Sequence, residues 1–304
     1  MSDKKQRLVI TGGNGFIGSF LVEQLLNLGY KNIISLNRSV RKNNPKIKTV
    51  VCDISKNEKI LSKFINKEDV VIHMACSTIP GTSEANKIKG VEENIIGSLK
   101  LLEICREKNI NKFIFMSSGG AIYGDNGQKA FKESDLVNPK SLYGVIKVTV
   151  EKYIGVYEHL HKMKSVIIRA SNPYGRKIIK TDKLGVVDIF LKKALDNEVI
   201  QIWGDGKNIR DYIHIDDLID FLILAIEKDS LTGIYNIGTG VGISLNEIIR
   251  LIEKVIERKV QVIYSSQREV DVLYNVLNIE KAKAVGWKPK YNLSDGIRKL
   301  IENK

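Results

Sequence analysis

Short apolar, β-branched runs alternate with longer stretches of helical periodicity through the first half of the chain. The runs fall at residues 7–11, 33–36, 48–52, 70–73, 112–117 and 165–169, and segments near 16–28, 57–66, 84–108 and 141–160 carry apolar residues every three or four positions. Strands that are apolar on both faces, separated by amphipathic helices, predict a doubly wound parallel α/β sheet with ligands at the strands' C-terminal ends. After Arg169 the spacing loosens. Asn172-Pro173-Tyr174-Gly175 interrupts it, and helices near 183–196, 215–227, 244–257 and 293–302 have shorter strands between them. A smaller C-terminal substrate-binding α/β lobe is expected. The division is placed at 1–172 and 173–304, with about 208–238 returning to the first domain, because Ile213-His214-Ile215 and Tyr235-Asn236-Ile237 both read as strands.

The junction of the first strand and first helix carries chemistry. Thr11 to Gly18 reads T-G-G-N-G-F-I-G, directly after Leu8-Val9-Ile10. Gly13, Gly15 and Gly18 fit G-x-G-x-x-G, and Gly12 starts the turn. Small residues there let backbone N–H groups approach a pyrophosphate at the positive helix N-terminus, so the first domain is a Rossmann-type dinucleotide site.

Length and charge narrow the class. A chain of 304 residues buries a large core and leaves room for a second lobe. Its net charge of +13 is spread along the whole chain without aromatic interleaving, which suits an anionic small substrate and excludes nucleic acid as the expected partner. No apolar run approaches the ~20 residues that span a bilayer, and Met1-Ser2-Asp3-Lys4-Lys5 has no apolar signal core, so a cytoplasmic protein without membrane contact is expected. Cys52, Cys76 and Cys105 lack metal or disulfide spacing. They are expected as buried thiols, with no metal site.

Tyr143 and Lys147 stand four apart in Ser141-Leu142-Tyr143-Gly144-Val145-Ile146-Lys147, which puts both on one helix face. A neighbouring ammonium and an oxidised nicotinamide both favour phenolate over phenol. Tyr143 can then exchange a proton with a substrate hydroxyl. Ser117 and Ser118 end the apolar strand that contains Phe113 to Met116. His73 also ends a strand and is read as a hydrogen-bonded packing residue.

With these residues in place the chain resembles an extended short-chain dehydrogenase/reductase, and within that family the UDP-galactose 4-epimerase group. The resemblance runs over the full length. It rests on T-G-G-N-G-F-I-G (11–18), Cys52-Asp53-Ile54, Val71-Ile72-His73-Met74-Ala75, S-S-G-G-A-I-Y-G-D (117–125), Tyr143 with Lys147, R-A-S-N-P-Y-G (169–175), G-D-G-K-N-I-R-D-Y-I-H-I-D-D-L (204–218) and R-E-V-D (268–271).

The resemblance implies roles. Phe16 and Ile17, with Gly12, Gly15 and Gly18, would cover the pyrophosphate, and Asp53 and Ile54 would meet the adenine. Met74, Ala75, Cys76, Asn94 and Ser117 would line the cofactor, and Lys147 would hold the nicotinamide ribose. Asn172, Arg210 and Arg268 would grip a nucleotide diphosphate, with Asp271 near the nucleotide sugar. Two arginine forks suit phosphate oxygens. Trp203 has two readings, a stack on uracil or a core residue.

Three departures from the family pattern bear on activity. Gly119 stands where a catalytic Ser or Thr is usual, leaving Ser118 or Ser117 to replace it. The second strand ends in Asn37-Arg38, where an NAD site usually has a carboxylate; NAD is expected, and Arg38 leaves NADP open. Asn275 stands where some relatives carry a bulky tyrosine, which leaves room for an N-acetyl group. The expected function is a nucleotide-sugar 4-epimerase that passes hydride to bound NAD and back. A 4-keto-sugar reductase is the alternative, and a non-catalytic dinucleotide-binding sensor a distant third. Ile95, Leu99 and Leu102 on one long helix, with Val145, Val148 and Val156 on another, form apolar faces that suit a homodimer.

Overall fold

The computed structural model describes residues 4–39, 44–78, 86–125, 127–175, 185–266 and 272–302. Two compact units emerge, each from three stretches of chain: Met1–Ile122, Ser141–Arg169 and Ile219–Tyr235 form unit 1, and Tyr123–Lys140, Ala170–Leu218 and Asn236–Lys304 form unit 2.

Unit 1 is built on the expected alternation. It runs β1 (Leu8–Thr11), α1 (Phe16–Asn27), β2 (Ile33–Asn37), β3 (Lys48–Val51), α2 (Glu58–Phe64), β4 (Val70–His73), α3 (Lys87–Gly90), a π-helical turn (Val91–Ile96), α4 (Gly97–Glu107), β5 (Lys112–Ser118), α5 (Gly119–Ile122), α6 (Leu142–His161) and β6 (Ser165–Ala170). The seven-stranded sheet has the order β10-β6-β5-β4-β1-β2-β3, where β10 is Gly233–Ile237. From β3 through β5 the register is parallel, with Leu8 opposite both Ile33 and Val70, and Val70 opposite Lys112. Strand β1 is buried along its whole length, as is β4. Each fully buried Val, Leu or Ile contributes about 1.5–3 kcal/mol, so these central strands hold the sheet together. Their C-terminal ends, at Thr11, Asn37, His73 and Ser118, share one edge.

In unit 2, β9 (Ile209–His214) pairs with three strands. They are β7 (Asn172–Tyr174), β11 (Gly242–Ser244) and β13 (Tyr274–Asn275), and β8 (Ile200–Trp203) pairs separately with β12 (Val262–Ser265). Helices α7 (Val186–Leu195), α9 (Leu245–Ile256) and α10 (Leu293–Glu302) enclose a second core around Phe190, Leu191, Ile248 and Ile297. Ser244 and Glu247 close a capping box at the start of α9, which satisfies two otherwise orphaned N–H groups.

The two strand-like runs assigned to a return differ. Tyr235–Ile237 joins the large sheet in β10, but Ile213–Ile215 belongs to β9 and the start of α8 (Ile215–Glu227), within unit 2. A short apolar run reports burial without naming the partner sheet, which is why both looked alike. Where a helix was expected at 84–108, the described residues show one starting at Lys87, with Asn86 as its cap, and containing the π turn; its Leu102 is fully buried in the core of unit 1 and is not available to a partner.

Candidate active site

The glycine loop has the shape of an anion cradle. Gly12 has φ +78°, and a Cβ there would lie 2.9 Å from the Ala75 nitrogen; one on Gly18 would lie 2.3 Å from the Gly12 oxygen. A side chain at either position forces the loop apart. Gly15 is the N-cap of α1 and gives no side-chain cap, and the first turn holds no acidic residue. That turn therefore presents its N–H groups and dipole to an outside anion, as a dinucleotide pyrophosphate requires. Phe16 and Ile17 are in this turn, and Met74, Ala75 and Cys76 leave β4 beside Gly12.

A chain of hydrogen bonds fixes the strand ends around the loop. The Thr11 hydroxyl and His73 Nδ1 are 2.8 Å apart, His73 Nε2 and the Ser98 hydroxyl are 2.8 Å apart, and Ser98 donates to the Asn94 carbonyl. Asn94 Oδ1 accepts from the Ser77 N–H at 2.8 Å. Burial, with Lys147 nearby, pushes the His73 imidazole down to about 3, so it is neutral and structural. At the end of β2, Asn37 accepts from the Asn14 N–H at 2.9 Å and donates to the Ser35 hydroxyl at 2.8 Å. Asp53 accepts from the Ser55 hydroxyl at 2.7 Å, and Ile54 is buried against Gly97.

Helix α6 brings the chemical groups together. Ser141 caps it by accepting from the Gly144 N–H, which places Tyr143 and Lys147 on one stripe. Lys147 is buried and donates to the Met116 carbonyl at 2.8 Å, with its ammonium 5.7 Å from the centre of the Tyr143 ring. The Tyr143 hydroxyl is hydrogen-bonded to the Ser118 side chain. Burial pushes the Tyr143 phenol well above its ordinary value, the Cys76 thiol adds to the rise, and the Ser118 bond draws it back. Burial thus dominates, and the resting form is the phenol.

The two serines part company. The Ser117 hydroxyl donates to Glu151, whose carboxylate also takes Arg169 Nη2 at 2.7 Å and Nε at 3.1 Å. Arg169 and Glu151 side chains are 5 % and 4 % exposed, a buried pair joining β6 to α6 beneath the end of β5. Ser117 is committed to that pair, whereas Ser118 meets the tyrosine. Neither Glu151 nor Arg169 was among the expected site residues. The signals were a glutamate continuing the Tyr143–Lys147 stripe and an arginine inside the apolar run of β6.

Within unit 2, three of the expected substrate residues meet on β9. Asn172 donates to the Asp211 carbonyl at 2.8 Å, and Asn275 on β13 pairs in register with Arg210. Asp211, not singled out from sequence, is completely buried and accepts from Thr239 N and Oγ1, both at 2.8 Å, and from Gly240 N at 3.0 Å. It pins the loop after β10 to the strand that carries Arg210. Trp203 is at the end of β8, outside this group, and is 42 % exposed, which removes the core reading. Arg268 and Asp271 lie outside the described residues. Among the described residues no cluster of His, Cys, Asp or Glu could hold a metal ion, and no helix is long and apolar enough to cross a membrane.

The profile of the NAD dependent epimerase/dehydratase family matches residues 8–238. The chain belongs to that family. It is 36 % identical to a putative UDP-glucose 4-epimerase of Methanocaldococcus jannaschii, over 97 % of each chain. It is also 32 % identical to a dTDP-4-dehydro-6-deoxyglucose reductase of Escherichia coli, over 100 % of this chain and 99 % of the relative. The crystal structure of a Thermus thermophilus UDP-glucose 4-epimerase in complex with NAD superposes with a TM-score of 0.89 at 31 % identity, covering 98 % of both chains. The protein is therefore an enzyme of a nucleotide-sugar epimerase/dehydratase family with a Rossmann-like fold, and its cofactor is NAD.

Proposed function

We propose that the enzyme is a nucleotide-sugar 4-epimerase acting on a UDP-hexose or UDP-N-acetylhexosamine through a 4-keto intermediate. The observation that carries this reading is the Tyr143–Ser118 hydroxyl pair beside Lys147. Bound NAD would supply a hydride acceptor and donor at C4, and its positive charge would favour phenolate at Tyr143. Tyr143 then accepts the O4 proton and gives it back, Ser118 relays it in place of the hydroxyl missing at Gly119, and Lys147 holds the ribose and offsets the phenolate charge. The segment Ser117-Ser118-Gly119-Gly120 carries no carboxylate, so the acid–base pair for eliminating water across C5 and C6, as a dehydratase needs, is lacking there.

The relative from Escherichia coli favours a second reading, a 4-keto-sugar reductase using the same tyrosine and lysine. Incubation with UDP-glucose or UDP-N-acetylglucosamine and no added cofactor separates them. The 4-epimer is expected by NMR. Strict dependence on NADPH, oxidised stoichiometrically by a 4-keto sugar, would install the reductase instead.

On the substrate side, Asn172, Arg210, Arg268, Asp271 and Asn275 are assigned to the nucleotide-diphosphate sugar, and Trp203 to its base. Arg210→Ala is expected to weaken UDP binding by ~1.5–3 kcal/mol, the worth of a charge-assisted contact. Calorimetry showing unchanged affinity would remove Arg210 from the diphosphate site. The assembly proposed is a homodimer through α6, where Val145, Tyr153, Val156 and Leu160 are exposed at helical spacing. A cytoplasmic setting agrees with three free thiols.

A further inference from the structure

The tip of β2 is where a dinucleotide fold reads the adenosine ribose, and there the chain has an arginine and no carboxylate. Asn37 does not supply the missing recognition group, because its amide is buried and spent on Asn14 and Ser35. An arginine alone at this tip is the arrangement that takes a 2′-phosphate. Yet the cofactor is NAD. The reconciling residue comes from another element: Arg38 Nη1 donates to Glu93 Oε2 at 3.0 Å.

We propose that Glu93 is the residue that makes this site select NAD over NADP, by occupying Arg38 and placing a carboxylate where a 2′-phosphate would have to sit. Four features support the assignment. Glu93 is 12 % exposed while Arg38 is 56 % exposed, so the carboxylate is the held partner and the guanidinium comes to it. Glu93 lies in the π turn Val91–Ile96, a geometry rare in proteins and common at functional positions. The next residue, Asn94, is fastened to Ser77 and to the Gly90 carbonyl, and Ser98 ties the Asn94 carbonyl to His73 and thence to Thr11. Glu93 is thus indexed to β1 and β4, not left on a free surface helix. Finally, Arg38 also acts on Asp53, whose carboxyl is held below its ordinary value against burial by Ser55, Lys56 and Arg38.

Lys89 lies 3.7 Å from the other Glu93 oxygen and is 61 % exposed. Its charge offsets part of the carboxylate but leaves the Arg38 fork engaged. Removing the Glu93 charge would free Arg38 and Lys89 together for a phosphate dianion.

The inference rests on the dinucleotide site alone and is indifferent to the sugar reaction. Protein stripped of endogenous dinucleotide is titrated calorimetrically with NAD and NADP, and with 5′-AMP and 2′,5′-ADP as ribose-end probes. Glu93→Gln is expected to lower the ratio of the NADP to the NAD dissociation constant by about tenfold, the scale of one like-charge contact near a protein surface. The 2′,5′-ADP to 5′-AMP ratio should fall in parallel. The double variant Glu93→Gln/Arg38→Ala should lose that gain, since the gain requires the guanidinium. A single-variant ratio within twofold of the parent, or a gain that survives in the double variant, would overturn the assignment. Because each result is a ratio within one protein sample, a partly unfolded variant does not mimic either outcome.

Discussion

Tyr143→Phe is expected to lower turnover by about 10²–10⁴-fold while leaving bound NAD close to stoichiometric, because it deletes the proton-carrying oxygen and keeps the ring. The ring is in reach of Lys147, and the hydroxyl's partner is Ser118, so nothing that shapes the glycine loop is touched. Steady-state rates together with dinucleotide content, released by denaturation and measured by mass spectrometry, give both halves of the result. Activity within a few-fold of the parent would take Tyr143 out of the reaction. Loss of cofactor along with activity would mean that the tyrosine acts as a cofactor contact.

Acidification from pH 7 to 5 is expected to destabilise the fold through two buried histidines. Burial, aided by Lys147, holds His73 at about 3; burial and Lys299, opposed by Asp216, hold His214 at about 4. Both folded values lie below the ordinary value near 6.5, so the unfolded chain binds protons that the native chain refuses. The stabilisation is complete above about pH 6.5 and is lost as the pH falls towards the folded values. Each histidine then costs about 1.4 kcal/mol per pH unit, or about 4 kcal/mol for the two between pH 7 and 5. Urea unfolding at these two pH values measures it. His73→Gln should halve the loss, since Gln cannot take the extra proton. An unchanged midpoint would show that the two imidazoles are solvated in the native state.

Unit 1 was legible because its signals are local. A short strand buried on both faces is apolar along most of its length, and Leu8 to Ile10 or Val70 to Ile72 announce that without knowledge of neighbours. The glycine loop was equally open, since the positive φ of Gly12 and the tight packing of Gly18 leave room for no other residue. What escaped were pairings across long stretches of chain. Arg38 and Glu93 are 55 residues apart and Asp211 reaches Thr239 and Leu277, contacts that periodicity does not encode. The choice between Ser117 and Ser118 was hidden for the same reason. Both serines end the same strand, and only the presence of Glu151 beside one and of Tyr143 beside the other separates their fates.

The three-part threading of unit 1 bears on how the protein is made. Its last stretch, Ile219–Tyr235, supplies β10 at the sheet edge, next to β6. It also supplies the carbonyls of Ala225 and Lys228, which take the ammonium of the fully buried Lys112 at 3.1 and 2.7 Å. A nascent chain that has just released Arg169 therefore carries an open sheet edge and a lysine with no partners for its interior charge. At ~5–20 residues per second, ribosomes take roughly 3–13 s to add the residues up to Tyr235. Through that interval the cofactor-binding half lacks both the strand that closes its sheet edge and the carbonyls that receive the Lys112 ammonium.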